Sequence, residues 1–222
     1  MKPSISVLFF LWIICSASVV AQSNDFGILN FQLGYEFGAH GIEHHISQDG
    51  NLLEGLSQDA ITSTANFNFN AGLTKWLSAG VALQYGNFVE SPANPQNTGN
   101  SITNAYIELR GYIGNTDNFN WYFGGAFGIS SLKLERIAYY PQQFTSQTIT
   151  TTYHSPHLSA INGFNWYFSK YIGMNFNILF STYNFKLEDY SIDGESQAMQ
   201  NYESDINTIG LHLRIGLSAK LY

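Results

Sequence analysis

The chain has 222 residues, a formal net charge of −7 and a single cysteine, Cys15. Acidic residues outnumber basic ones by 16 to 9, which argues against nucleic acid as a partner. Only 11% of the residues are charged and 16% are aromatic, whereas about 25% charged residues are typical of a soluble domain. The composition therefore argues against an ordinary soluble domain.

The N-terminus has the layout of a secretory signal peptide. Lys2 precedes an apolar run over 5–15, and small residues lead to Ala21, after which we expect cleavage. We therefore assign 1–21 to a signal peptide that is removed on export. Removal of Cys15 with this segment leaves no cysteine for an internal disulfide.

Eight segments downstream alternate apolar and polar residues, as a β-strand does when its two faces meet different surroundings. The last of them is TIGLHLRIGLSAKLY, in which every second residue is apolar. Each segment has about the ~9–11 residues that a tilted strand needs to cross a bilayer. In chain order the segments are 29–37, 61–73, 77–85, 103–113, 121–129, 157–168, 172–180 and 208–221.

The predicted connections between these strands alternate between short and long. Short connections fall near 74–76, 115–120 and 169–170, and long ones fall near 40–60, 90–101, 137–153 and 187–205. This alternation is typical of an up-and-down barrel with both termini at the end that carries the short turns. No apolar run of about 18 residues follows the signal peptide, so a membrane location would require a closed barrel.

Two features distinguish a membrane barrel from a soluble barrel of the lipocalin type. The polar phase of the strands is mostly Gly, Asn, Ser, Thr and Gln, which suits a narrow interior better than a water-facing surface. Aromatic residues also collect beside the short turns, where they would form a periplasmic-side girdle at the membrane interface. The girdle residues are Trp76, Trp121, Trp166 and Tyr171. We therefore predict an all-β fold, an eight-stranded antiparallel up-and-down transmembrane β-barrel over 22–222.

With its signal peptide, eight alternating strands and short turns opposite long loops, the chain resembles the small outer-membrane β-barrel proteins of the OmpX and OmpA-barrel type. The resemblance covers essentially all of the mature chain and is architectural, with no invariant motif. It implies a Gram-negative-type outer-membrane location and insertion by the outer-membrane assembly machinery.

The inward phase contains two acids, two arginines and a histidine: Glu36, Glu108, Arg110, Arg214 and His212. A charge in a narrow barrel needs a partner to compensate its desolvation. Because the acids and arginines balance, we interpret these five residues as a structural polar network that fills the lumen. A proton or ion path is the alternative.

Two short motifs could support chemistry. The stretch HGIEHH places His40, Glu43, His44 and His45 in the first long loop, with side chains that could bind zinc or copper. The pair His157 and Ser159 is similar to the His-x-Ser base and nucleophile of lipid A deacylase barrels, but both residues fall in the inward phase. We therefore predict no catalytic residue, metal site or cofactor.

The sequence predicts a non-enzymatic, monomeric envelope protein with a structural or surface-interaction role through its long extracellular loops. Its expected surroundings are outer-membrane lipid and lipopolysaccharide. A narrow porin-like channel for ions or small solutes is one alternative, although side chains fill most of an eight-stranded lumen. A lipid A-modifying enzyme is the other, and it depends on His157 and Ser159.

Overall fold

The computed structural model describes residues 28–48, 51–91, 99–140, 145–197 and 202–221, so the predicted signal peptide at 1–21 lies outside the described residues. No helix within these ranges is long and apolar enough to cross a membrane. The strands of the described ranges are β1 (Leu29–Gln48), β2 (Asn51–Thr74), β3 (Leu77–Ser91), β4 (Ser101–Asn115), β5 (Phe119–Tyr140), β6 (Thr145–Tyr167), β7 (Ile172–Ile192), β8 (Glu195–Ser196) and β9 (Tyr202–Leu221).

All strands except β8 form one closed antiparallel ring in the order β1-β2-β3-β4-β5-β6-β7-β9. The ring closes where β1 pairs with β9 along its whole length, from Leu29↔Leu221 to Gln48↔Tyr202. β8 is an arm that folds back onto the end of β7. Its turn contains Asp193 and Gly194, whose φ values of 50° and 85° suit a tight hairpin turn. The predicted eight-stranded up-and-down barrel is confirmed.

The short connections also lie where the sequence predicts them. β2 and β3 are separated by the two residues 75–76, β4 and β5 by 116–118, and β6 and β7 by 168–171. These turns lie at the same end of the barrel as Leu29 and Leu221, which pair with each other. We call this end the proximal rim, and the opposite end the distal end.

An apolar belt surrounds the barrel next to the proximal rim. Along β9, Leu213 is 47% exposed whereas its neighbours His212 and Arg214 are buried. The same alternation gives large exposed apolar side chains on the other strands, among them Leu33, Phe67, Leu83, Ile107, Phe127, Leu158 and Ile178. An apolar outside around a polar inside is the arrangement of a barrel that faces lipid and the reverse of a soluble barrel.

Most strands are much longer than the belt requires. β1, β2, β5, β6, β7 and β9 have 20, 24, 22, 23, 21 and 20 residues, about twice the ~9–11 residues of a transmembrane strand. We call the strand ends beyond the belt the distal extension. It comprises residues 41–48, 51–59, 133–140, 145–155, 184–192 and 202–207.

Where the distal extension begins, the apolar residues move from the outward-facing positions of the strands to the inward-facing ones. In the belt part of β1, Phe37 points outward and Glu36 inward, but beyond His40 the apolar Ile42 is buried and Glu43 is exposed. β7 behaves in the same way: Phe185 is buried and Lys186 is exposed. Outside the belt, water surrounds the barrel, so apolar side chains gain by turning inward.

This change of phase corrects three predicted long loops. The segments near 40–60, 137–153 and 187–205 are largely strand in the described ranges. The sequence prediction was wrong there because it required one apolar phase along each strand. The connection near 90–101 does separate β3 from β4.

The inward apolar residues of the distal end pack into one core. Phe185 and Leu132 are fully buried, and strands from all around the ring contribute to the cluster. Its buried members are Ile42, Ala60, Phe88, Ile102, Leu132, Tyr153, Tyr183, Phe185 and Ile206. The barrel therefore contains a polar lumen at the level of the belt and an apolar core beyond it.

Candidate functional site

Four charged side chains meet inside the belt. Arg110 Nε donates to Glu108 Oε1 at 2.6 Å on β4. Arg214 Nε donates to Glu36 Oε2 at 2.8 Å across the β1–β9 pair, in which these residues are direct partners. Arg214 Nη1 also lies 3.8 Å from Glu108 Oε2, which links the two ion pairs.

These charges are fully withdrawn from solvent, since Glu108, Arg110 and Arg214 are 0% exposed and Glu36 is 3% exposed. Desolvation of each ion costs several kcal/mol, so good pairing and further hydrogen bonds must compensate it. Arg110 Nη2 donates to Gln32 Oε1 at 2.9 Å, and the guanidinium lies 4.5 Å from the centre of the Tyr122 ring.

Neutral groups complete the shell around both carboxylates. Gln84 Nε2 donates to Glu36 Oε2 at 2.7 Å, and the Asn68 amide donates to Glu108. Tyr106 OH accepts a hydrogen bond from Arg214 Nη2 at 2.6 Å. Sequence reasoning missed these neutral partners, although their inward phase was visible in the alternation.

His212 lies on the distal side of the ion pairs. Its Nδ1 lies 2.9 Å from Glu36 Oε1, and its ring meets that of His40 edge-on at 4.7 Å between centroids. A Cβ on Gly210 would overlap His40 Nδ1, so a glycine there makes room for the two edge-on rings. The structure thus brings together all five residues of the predicted network and adds His40.

His40 was expected in a loop with Glu43, His44 and His45, but β1 separates these four residues onto opposite faces. His40 is 3% exposed and faces the lumen, where its ring nitrogens lie 3.1 Å from Thr208 Oγ1 and 3.0 Å from Thr62 Oγ1. Glu43 and His45 face outward. Within the described ranges, no three His, Cys, Asp or Glu side chains could hold a metal ion together.

His157 and Ser159 do meet, with His157 Nε2 2.5 Å from Ser159 Oγ. Ser159 Oγ is also 2.6 Å from Ser181 Oγ. Both residues of the pair face the lumen and are 2% and 4% exposed. His157 Nδ1 has no hydrogen-bond partner among the described residues, so no carboxylate orients the ring there. The pair therefore lacks both an orienting acid and contact with lipid.

The aromatic residues expected at the interface lie at the proximal rim. Trp76, Trp166 and Tyr171 are 46%, 54% and 51% exposed. Trp121 is half-buried, and its Nε1 donates to Asn162 Oδ1 at 2.9 Å. Amphipathic rings at this level suit the boundary between hydrocarbon and water.

The interior is thus filled at both levels. Buried ion pairs and hydrogen bonds occupy the lumen inside the belt, and the aromatic and aliphatic core closes it at the distal end. This arrangement joins strands across the barrel, since the network connects β1, β4 and β9. In this network, the two acids and the two arginines compensate one another's charges.

No protein-family model and no curated protein matches the sequence. Among solved structures, the outer membrane protein OprG from Pseudomonas aeruginosa is similar with a TM-score of 0.62 and 14% identity, over 91% of this chain and 100% of that chain. The outer membrane protein AlkL, solved by solid-state NMR in DMPC lipid bilayers, gives 0.50 and 11%, over 92% and 95%. At such identities the likeness shows the fold, a small β-barrel of this architecture. The narrower resemblance to OmpX and the OmpA barrel stays a prediction.

Proposed function

We propose that this chain is a non-enzymatic outer-membrane barrel that is closed to solutes and presents a folded extension at the cell surface. The observation that carries the proposal is the filled interior. An ion crossing the barrel would have to displace the buried network of Glu36, Glu108, Arg110 and Arg214 and then pass the apolar core. Each step has a large desolvation cost.

An outer-membrane location agrees with the apolar belt, with the predicted signal peptide at 1–21 and with the similar fold of the outer membrane proteins OprG and AlkL. The proposal includes export, insertion by the outer-membrane assembly machinery, and a monomer surrounded by lipid and lipopolysaccharide. The proximal rim, with its short turns, would face the periplasm.

The surface-interaction role that the sequence analysis gives to long loops is proposed here for the paired strands of the distal extension. Most of the outward side chains described in the distal extension are polar, among them Glu43, His45, Lys133 and Lys186, while its inward face carries the apolar core. Strand pairing orders the backbone of this surface before any partner binds, and a pre-ordered surface loses less conformational entropy on binding. A lipid A-modifying reaction has less support, because His157 and Ser159 are enclosed in the lumen.

A single-cysteine experiment tests the orientation and the surface display. In a Cys15→Ser background, Tyr139→Cys places a thiol in the distal extension, where Tyr139 is 60% exposed. Lys75→Cys places a matched thiol in the exposed turn of the proximal rim. We expect a membrane-impermeant maleimide to label Tyr139→Cys on intact cells and Lys75→Cys only after the outer membrane is permeabilised. The opposite labelling would overturn the proposed display.

Conductance in planar bilayers tests the closed lumen. Purified protein, shown to be folded by its heat-modifiable migration, should give no regular conductance steps because charged and apolar side chains fill the pore at two levels. Steps that change in size in an Arg110→Met/Glu108→Gln double variant would show that ions pass the network. The narrow channel would then replace the closed barrel.

A further inference from the structure

A groove runs down the outer wall of the barrel along β9, between β1 and β7. Its distal part is a cavity of about 530 Å³ next to Gly41, Glu43, Ser57, Thr182, Asn184 and Asn207. Its proximal part is a cavity of about 390 Å³ next to Phe37, Ala39, Ile61, Ile178, Leu211 and Leu213. Both volumes lie in the range of ~300–1,000 Å³ that is usual for small-molecule sites.

The two cavities adjoin. Ala39 and Gly41 are successive outward positions of β1, and Ile209 and Leu211 are successive outward positions of β9. Small residues make the depression: a Cβ on Gly41 would have no atom within 4 Å, and Ala39 contributes one methyl group. The groove is therefore a continuous feature where larger side chains would give a flat wall.

The chemistry of the groove changes along its length. Ile61, Ile178 and Leu211 of the proximal part are 57%, 55% and 59% exposed and belong to the apolar belt. The distal part offers hydroxyl and amide groups instead. Asn184 Nδ2 donates to Asn207 Oδ1, and an amide whose oxygen is engaged still has N–H donors for another acceptor. The apolar proximal part matches the acyl chain of a lipid, and the hydrogen-bonding distal part matches its headgroup.

The charges around the distal part of the groove determine which kind of headgroup fits there. Glu43 lines the cavity, Asp59 is the partner of Gly41 in the β1–β2 pair, and Asp205 lies on β9. Two cationic neighbours stand against these three acids. Lys186 is the cross-strand neighbour of Asp205, and the His45 ring, charged only when protonated, lies 4.0 Å from Glu43. The distal part of the groove is therefore acidic, which favours a headgroup with an ammonium group and disfavours an anionic headgroup.

We propose that this groove binds one zwitterionic aminophospholipid, with an acyl chain along Ala39 and Leu211 and the ammonium group near Glu43. The amides of Asn184 and Asn207 and the hydroxyl of Thr182 serve the phosphate and ester oxygens. In a leaflet rich in anionic lipid, such a site holds a lipid that differs from its surroundings. The inference rests on the membrane location proposed above.

The test is retention of lipid in native mass spectrometry. The full-length mature barrel is placed in lipid discs of equal parts phosphatidylethanolamine and phosphatidylglycerol with identical acyl chains, and released from them. Wild-type protein should retain one phosphatidylethanolamine, enriched about fivefold over phosphatidylglycerol, as expected for about one net interaction with a surface charge. Glu43→Gln should lower this enrichment while leaving a lipid bound.

Variants that fill the groove give the matched comparison. Gly41→Leu should lose the retained lipid, and Ala39→Phe, which fills the proximal part, should do the same if Gly41→Leu does not fold. Gly125→Leu is the control, because Gly125 is an outward position like Gly41 and Ala39 but lies on β5, across the barrel. A Cβ on Gly125 would have only an ordinary contact at 3.6 Å.

Equal retention by wild type and the groove-filling variants would overturn the site, as would retention of phosphatidylglycerol at the same level as phosphatidylethanolamine. A wild-type chain that does not enter the discs at all would contradict the membrane barrel itself. The failure of the groove and the failure of the proposed function are therefore separate results.

Discussion

Replacement of Arg110 by methionine is expected to lower the free energy of unfolding of the barrel by about 3–5 kcal/mol. Arg110 and Glu108 are both 0% exposed and are 2.6 Å apart, so the variant leaves a buried carboxylate with one partner fewer. Urea titration in lipid vesicles, followed by tryptophan fluorescence, measures the loss.

The chain contains a matched control for this experiment. Lys133 and Glu135 are also two residues apart on one strand and also 2.6 Å apart, but their side chains are 48% and 30% exposed. Water already solvates that pair, so Lys133→Met should cost only about 0–1 kcal/mol. The double variant Glu108→Gln/Arg110→Met should lose less than the sum of its single variants. Additive losses would mean that the buried charges are independent.

The second large effect is expected in the distal extension. Phe185→Ala should lower the free energy of unfolding by about 3–5 kcal/mol, because it opens a cavity in a core where Phe185 is 0% exposed and stacks on Tyr183 at 5.3 Å. Limited proteolysis of the embedded protein adds a second readout, since the belt shields the rest of the barrel.

Phe180→Ala is the control for Phe185→Ala. Phe180 lies on the same strand but is 54% exposed on the lipid-facing side, so its removal leaves no internal cavity. We expect a smaller loss and unchanged proteolysis of the distal extension. If both phenylalanines gave the same loss and the same proteolysis, the apolar core would not stabilise the distal end.

The transmembrane part of the fold could be predicted because lipid imposes one rule along each strand. Leu213 outward and His212 inward follow directly from alternation. Beyond the belt the rule reverses, and β1 shows the change between His40 and Ile42. The reversal is visible in the sequence if each strand is divided into a lipid-facing part and a water-facing part. The sequence prediction assumes one environment for each strand, and it therefore assigns the distal extension to loops.

The candidate site was predictable only in part. The inward phase identified Glu36, Glu108, Arg110, Arg214 and His212 as lumen residues. Which charges meet depends on the strand register around the ring, as in the contact between Glu108 of β4 and Arg214 of β9. Alternation gives no information on that register. His40 shares the phase of Glu36, but the sequence predicts a long loop from residue 40 onward and so does not place His40 in the lumen.

The seam between β1 and β9 constrains the order in which the barrel can fold. Glu36 and Arg214 are 178 positions apart along the chain, yet they form a direct cross-strand ion pair. Every other pair of adjacent strands in the ring joins segments that are much closer along the chain. The entropy cost of closing the loop between them is therefore lower. We therefore expect the seam to be the last junction to form, and its formation then brings the Arg214 guanidinium of β9 against the Glu36 carboxylate of β1. An intermediate without β9 would hold the Glu36 carboxylate without Arg214, so we expect pairing of this final strand to stabilise the inserted barrel by compensating a buried charge.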